Sequence, residues 1–556
     1  MIKYIFIGCC AVLISSCVVV GLNVKRKTPS NPSKYPEFTL ADTLRGAVTP
    51  YRANNDIHYY DINIDVDIDK KYISGYVDIC FNALTDIDTI QIDLYENMNV
   101  SAILYENDTL EFNRRYKALM VGFRNSLKKG GNYKIRVFYN GNPKVAPRPP
   151  WEGGFVWEKD DDKNPWIGVS CELDGASLWW PVKDHLSDEP DSLRMSVTIP
   201  QGLFCVSNGR LIDRVQRGSK EKFIWKTTYP INTYNATLYI GNYEHFTLPY
   251  NKRDTTYLLD FYVLPKNLEL AKEHFKQTID IISFFENCFG EYPWWRDGYK
   301  LVESPYAGME HQTVIAYGNK YKNFYGQKFD HIILHETAHE WWGNSLTASD
   351  YADVWLHEGF ATYSEALYVE HYRNYDSYLK YLNFYSLLIK NKQPVIGPFG
   401  VNYWNYKDGD VYMKGALILH TLRNIINNDE IFFDILKTYY NQYKYSIVTT
   451  EDFINVVNEK TGKDYDWFFN QYLYRRDCPK LEWNYVFNTI KQQYEIKFKW
   501  SNMDSKFQLP VLIRTSEDKV WIYPSNKVNH CTFHNGGAVY LNTNNSYISI
   551  VKNKKL

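Results

Sequence analysis

The chain has 556 residues, too many for one hydrophobic core, so about three domains are expected. Its 45% hydrophobic and 23% charged content is that of an ordinary globular protein and excludes an intrinsically disordered chain. A formal net charge of −1 provides no field for a polyanion, so nucleic acid is not an expected partner.

The N-terminus reads as an export segment. Lys3 is the only charge before an apolar run from Ile5 to Val20. Within it, Ile14-Ser15-Ser16-Cys17 resembles the lipobox of bacterial lipoproteins, which implies lipidation of Cys17 after cleavage. The alternative is an uncleaved membrane anchor, for which the run is barely long enough. Both readings place the bulk of the protein outside the cytoplasm, membrane-anchored on the periplasmic or cell-surface side. Residues 1–22 are taken as this segment and 23–45 as a polar, Pro-containing linker.

Alternation then sets in. Tyr60, Ile62, Ile64, Val66 and Ile68 share one face of a strand, with Asp61, Asn63, Asp65 and Asp67 opposite. Similar runs recur at Ile90-Ile92-Leu94 and Ile135-Val137, so 46–262 is expected to be a β-domain, a sandwich or saddle-like sheet. After Pro265 the period changes. Leu268, Ala271, Phe275, Ile279 and Ile282 recur at helical spacing up to Gly290, opening an α-rich domain over 263–479. Alternation returns at Tyr494, Ile496, Phe498 and Trp500, so 480–556 is expected to be a small C-terminal β-domain. Beyond the leader, Cys80, Cys171, Cys205, Cys288, Cys478 and Cys531 are scattered, with no C-x-x-C pair and so no zinc-knuckle or redox motif.

The helical region contains His335-Glu336-Thr337-Ala338-His339, and Glu358 follows after eighteen intervening residues. Positions i and i+4 lie on one helical face, so His335 and His339 present two imidazoles to one metal. Glu358 supplies a third ligand and leaves one tetrahedral position open, the mark of a catalytic rather than a structural zinc. Glu336, beside the first ligand, reaches the metal-bound water as a general base without occupying the metal. The alternative, a solvated helix face, fits poorly with Ile332, Ile333, Leu334, Trp341 and Trp342 around the motif. A second helix is expected to begin near Glu358. Glu365, seven residues on, then shares its face and can orient a ligand imidazole.

At this point the chain resembles a known family. Ala307-Gly308-Met309-Glu310-His311 is similar to the G-A-M-E-N exopeptidase motif of gluzincin aminopeptidases, the family of aminopeptidase N and leukotriene hydrolase. Trp355-Leu356-His357-Glu358-Gly359-Phe360-Ala361 resembles its W-L-N-E-G-F-A, and Val411-Tyr412-Met413-Lys414-Gly415-Ala416 its V-Y-x-K-G-A. Trp179-Trp180-Pro181 and Asp188-Glu189-Pro190 match a landmark of its first domain, and the likeness runs from about Asp56 to Pro479. It implies a multidomain α+β fold: an N-terminal β-saddle, a thermolysin-like zinc catalytic domain and a C-terminal β-sandwich. It also implies one Zn2+ on His335, His339 and Glu358, with Glu336 and Tyr412 catalytic. Glu310, Glu172, Gly308 and Met309 would contact substrate, the two acids facing its α-ammonium. The sequence departs from the family where Gly and Ala are exchanged in the first motif, where His311 and His357 replace asparagines, and where Ser170-Cys171-Glu172 lacks the usual glutamine. His311 and His357 read as pocket-wall or outer residues, since three ligands already serve the metal.

The function implied is a zinc-dependent aminopeptidase that removes N-terminal residues from peptides by attack of a zinc-activated water. Two alternatives are a zincin endopeptidase, which has no use for Glu310, and a catalytically inactive surface-binding lipoprotein, which the intact ligand and base set disfavours. The expected partners are peptides with a free N-terminus and, through the lipid anchor, a membrane.

Overall fold

The computed structural model describes residues 35–324, 326–403, 408–514, 519–534, 539–541 and 546–556. The leader and Cys17 lie outside them. Within them, β-rich N- and C-terminal regions flank an α-helical region, as expected.

The N-terminal region is built on an eight-stranded sheet. Its central strand, Asn55–Asp67, runs antiparallel to Tyr72–Ala83 and parallel to Ser192–Pro200. Tyr60, Ile62, Ile64 and Val66 are buried on one face, as their alternation requires. On the other face Asp61 and Asp65 pair with Arg194 and Lys220. A four-stranded sheet includes Pro165–Ser170, which pairs with Leu238–Gly241. This strand ends two residues short of Glu172. Two short helices, Leu40–Gly46 and Pro50–Ala53, precede the first strand, the former closed by a capping box between Thr39 and Asp42.

A five-stranded sheet leads into the helical region. Glu244–Lys252 and Thr255–Val263 pair with each other, and the latter runs parallel to Tyr299–Glu303. Ile315–Tyr317 and the edge strand Gly308–Met309 complete it. The sheet therefore crosses the 262/263 boundary drawn from the sequence, because an alternating strand looks the same whichever sheet it joins. The expected helix after Pro265 is two, Leu268–His274 and Gln277–Phe289, with Phe275 and Lys276 between them.

Two further helices carry the motif residues. His331–Ala338 ends at His339, its C-cap, where the chain turns into Gly343 at φ +120°. Trp355–Tyr372 places Glu358 in its first turn. This second helix packs against Asp410–Ile426 backbone to backbone. A Cβ on Gly415 would lie 2.7 Å from the Gly359 Cα, so only glycine permits the approach. Gly359 follows Glu358 and Gly415 lies three residues after Tyr412, so this contact brings the third ligand and the tyrosine together. The C-terminal region has a four-stranded sheet through Lys480–Asn488 and Gln493–Ser501 and a three-stranded sheet through Val511–Arg514. Ile496, Phe498, Trp500, Val511 and Ile513 are buried in it. All six described cysteines are free thiols.

Candidate metal centre and substrate cavity

The His331–Ala338 helix starts at Asp330, whose carboxylate accepts the Ile332 N–H at 2.9 Å and caps it. The same carboxylate accepts from Tyr317, Asn319 and His274, which fixes the helix end to the sheet. One turn further along, His335 and His339 bring their Nε2 atoms to 3.1 Å. Glu358 Oε2 lies 3.3 and 3.4 Å from those two nitrogens.

The tautomers follow from the outer partners. His335 Nδ1 donates to Glu365 Oε1 at 2.6 Å, and His339 Nδ1 donates to the Trp342 carbonyl at 2.8 Å. Both protons therefore sit on Nδ1, and both Nε2 lone pairs point inward. Glu358 Oε2 is buried and has no hydrogen-bond partner among the described residues. Three lone pairs thus converge on one point in a dry interior, an arrangement that repels itself unless a cation lies between them. Two imidazoles and a carboxylate are a catalytic-zinc donor set, so the residues fit the metal.

Glu365 does what its spacing promised, and two unforeseen residues assist it. Tyr381 and Tyr385, from the helix Tyr375–Ser386, donate to Glu365 Oε2 at 2.5 and 2.6 Å. His357 is not a ligand. Its Nε2 accepts the Ala348 N–H at 2.7 Å, bracing the strand that follows the turn, and burial lowers its pKa to about 3. His311 shares a 2.6 Å hydrogen bond with the Tyr239 hydroxyl and is likewise held neutral by burial. Neither lines the cavity.

That cavity, about 190 Å³, gathers Glu172, Gly308, Met309, Glu310, Glu336 and Tyr412 around the three metal-site residues. Atoms of Glu310, Glu336 and His339 lie within 4.8 Å of one another. Gly308 faces Glu336 directly: a Cβ there would stand 2.5 Å from Glu336 Oε1 and 2.7 Å from Ile332 Cγ2. Burial, with Glu310 adding to it, raises the Glu336 carboxyl to about 8. The Tyr234 hydroxyl donates to Glu310 at 3.0 Å, whereas Glu172 Oε1 is buried without a partner among the described residues. Burial, then the Glu310 charge, pushes the Glu172 carboxyl well up. The Tyr412 ring stacks on that of His335, centroids 6.1 Å apart. Trp151 and Leu173, also in the wall, come from the β-rich region and carried no sequence signal.

Residues 273–472 match the family description "Peptidase family M1 domain". The chain is 22% identical over 386 residues to "Probable aminopeptidase 2" of Sulfurisphaera tokodaii, covering 66% of this chain and 48% of that protein. It is 23% identical over 367 residues to "Aminopeptidase B" of Mus musculus, covering 62% and 53%. It is 22% identical over 463 residues to "Aminopeptidase N" of Lactococcus lactis, covering 78% and 52%. It spans about half the length of these curated relatives. Among solved structures, a mutant M1 zinc metallopeptidase of Deinococcus radiodurans bound to a Tyr-Ser-Ala substrate superposes with a TM-score of 0.63 at 21% identity, covering 75% of this chain and 94% of that one. A two-domain M1 zinc metallopeptidase mutant bound to L-tryptophan gives the same TM-score, identity and coverages. At these identities the likeness is one of fold.

Proposed function

We propose that this chain, a member of peptidase family M1, is a zinc-dependent aminopeptidase acting on peptides with a free N-terminus. The observation that carries the reading is the charge of the cavity. Glu172, Glu310, Glu336, Glu358 and Glu365 put five carboxylates around it, and Glu365 accepts the His335 Nδ1–H. A dication at the ligand set and an ammonium beside Glu310 and Glu172 answer three of those charges, and a peptide N-terminus brings that ammonium. The names of the relatives, aminopeptidases 2, B and N, support the same reading.

A bound zinc ion acidifies a water and polarises a carbonyl. Around it, Glu310 and Glu172 hold the α-ammonium and so place the first peptide bond beside Glu336. Glu336 takes the proton of the attacking water and returns it to the departing amine. The Tyr412 hydroxyl donates to the oxygen on which negative charge develops. Gly308 leaves room for the Glu336 carboxylate, and Met309 walls the cavity beside Glu310. An endopeptidase has no use for two buried acids at the amine end, and an inactive binding protein has no use for a base held beside the ligands.

The test is a panel of fluorogenic aminoacyl substrates, free and N-acetylated, before and after chelation and with zinc restored. Turnover of the free series that vanishes with chelator and returns with zinc is expected. Equal cleavage of acetylated peptides would replace the aminopeptidase with an endopeptidase.

We also propose, on the leader sequence alone, export and anchoring through a lipid on Cys17. No helix among the described residues is long and apolar enough to cross a membrane. Mass spectrometry of the mature N-terminus decides, since an intact Met1 excludes the lipidated form.

A further inference from the structure

Away from the metal, behind the segment that carries Glu172, lies a cluster of charge that does not close. A cavity of about 10 Å³, room for one small sphere, is lined by Arg45, Arg52 and Lys117 against only Asp93 and Asp184. Both carboxylates are already served. Asp93 accepts from Arg52 Nη2 at 2.5 Å, from Gln91 and from the Asp184 N–H. Asp184 accepts from Ser177 Oγ at 2.5 Å and from the Ala176 and Ser177 N–H groups. Asp174, close by, accepts from Lys144 at 2.8 Å, Tyr95 at 3.2 Å and the Gly153 N–H at 2.6 Å.

Two cations remain. Arg45 Nε and Nη2 are buried and meet no acceptor among the described residues. Lys117 Nζ lies 3.3 Å from the centroid of the Tyr95 ring, a cation–π contact that offers no lone pair. A guanidinium with two dry, unmatched N–H groups is rare in a folded protein and marks an acceptor that the described residues do not provide. Burial and the neighbouring Arg45 together lower the Lys117 ammonium to about 7, as two like charges sharing one pocket require.

We infer that the Arg45–Lys117 cavity is a binding site for a small monovalent anion of chloride's class. One negative charge there meets the orphan guanidinium groups, evens the three cations against two carboxylates and relieves the repulsion between Arg45 and Lys117. Its place gives it a consequence. Asp174 holds the Gly153 N–H and lies two residues after Glu172, so it ties together the two segments that carry Trp151 and Glu172 into the substrate cavity. Arg45 is among the charges that stabilise the Asp174 carboxylate. Filling the site firms the amine end of the cavity and improves substrate binding. That second effect rests on the aminopeptidase reading, whereas the anion site does not.

The experiment uses the zinc-loaded full chain at constant ionic strength, with chloride replacing gluconate, and reads both Tm and KM. A saturating rise in Tm on the order of 2–4 °C is expected, with a fall in KM of about twofold or more. Arg45→Gln and Lys117→Met each flatten the Tm response while keeping the activity seen in gluconate. In crystals grown with bromide, an anomalous peak between Arg45 and Lys117 supports the site, and water there overturns it. Equal Tm responses in all three proteins, or none, also overturn it. A Tm response without a KM response keeps the site and removes its link to substrate.

Discussion

Glu365 accepts a 2.6 Å hydrogen bond from His335 Nδ1, and that one contact decides which imidazole nitrogen faces the metal position. Tyr381 and Tyr385 occupy the other carboxylate oxygen, so both oxygens of Glu365 are held. Glu365→Leu should therefore lower zinc affinity by about 10- to 100-fold, as loss of an outer hydrogen bond does elsewhere. The double change Tyr381→Phe, Tyr385→Phe should give a smaller loss in the same direction. Competition with a chromogenic chelator measures both. Wild-type affinity in Glu365→Leu would show that the ligand set orients itself.

Glu336 is held as a base beside the ligands without being one of them. Glu336→Gln keeps the shape and removes the proton acceptor. It should retain stoichiometric zinc and lose about 100- to 10,000-fold in kcat, the usual range for a positioned acid–base group. Metal content by atomic emission and steady-state kinetics on one preparation separate the two effects. A kcat within tenfold of wild type would remove Glu336 from the chemistry.

How far the sequence could be read depended on how local each constraint is. The ligand pair was legible because i and i+4 on a helix is a short-range relation, and Glu365 because it shares a helix with Glu358. The β-rich ends and the helical middle were legible from period alone. Tyr381 and Tyr385 were not. They sit among 48 tyrosines and acquire meaning only when the Tyr375–Ser386 helix packs against Glu365. His311 and His357 read as pocket-wall or outer residues, yet neither lines the cavity, and their hydrogen bonds to Tyr239 and Ala348 are tertiary contacts that leave no trace in spacing. The sheet joining Thr255–Val263 to Tyr299–Glu303 was hidden for the same reason: pairing is a tertiary choice.

Gly308 is a sharper probe of the cavity than a change to any ligand. In Gly308→Ala the new methyl stands 2.5 Å from Glu336 Oε1, so the carboxylate must move. A displacement of about 1 Å in a catalytic group costs on the order of 100-fold in rate. The expected result is a kcat lowered by about that factor, with zinc content unchanged. Undiminished kcat would mean that the carboxylate has room the geometry does not grant it.

The amine end has its own signature. Glu310→Gln leaves shape intact and removes one of two negative charges facing the substrate ammonium. Losing one partner of a buried ion pair costs about 2–5 kcal/mol, so kcat/KM on free aminoacyl substrates should fall accordingly. Glu172→Gln should act in the same direction. If both variants process aminoacyl amides normally, the ammonium binds elsewhere.

Lys300 does not line the cavity and gives the clearest pH dependence. It lies on the strand Tyr299–Glu303, 2% exposed, and its Nζ donates to the Gly209 carbonyl at 2.5 Å. Burial lowers its pKa from 10.5 to about 8. Below pH 8 both folded and unfolded chains carry the proton, and the full cost of burying the charge is present. Between 8 and 10.5 the unfolded chain still holds a proton that the folded chain has released, so stability rises with pH across that window. The shift corresponds to about 3 kcal/mol at about 1.36 kcal/mol per pH unit. Lys300→Met removes this rise and also the donor to Gly209, so the absolute offset is not the readout and the slope is. Urea unfolding at several pH values from 7.5 to about 10.5 should show the wild type gaining on the variant. Parallel curves would mean that the ammonium stays protonated and finds a counter-charge in Asp260 or Asp297.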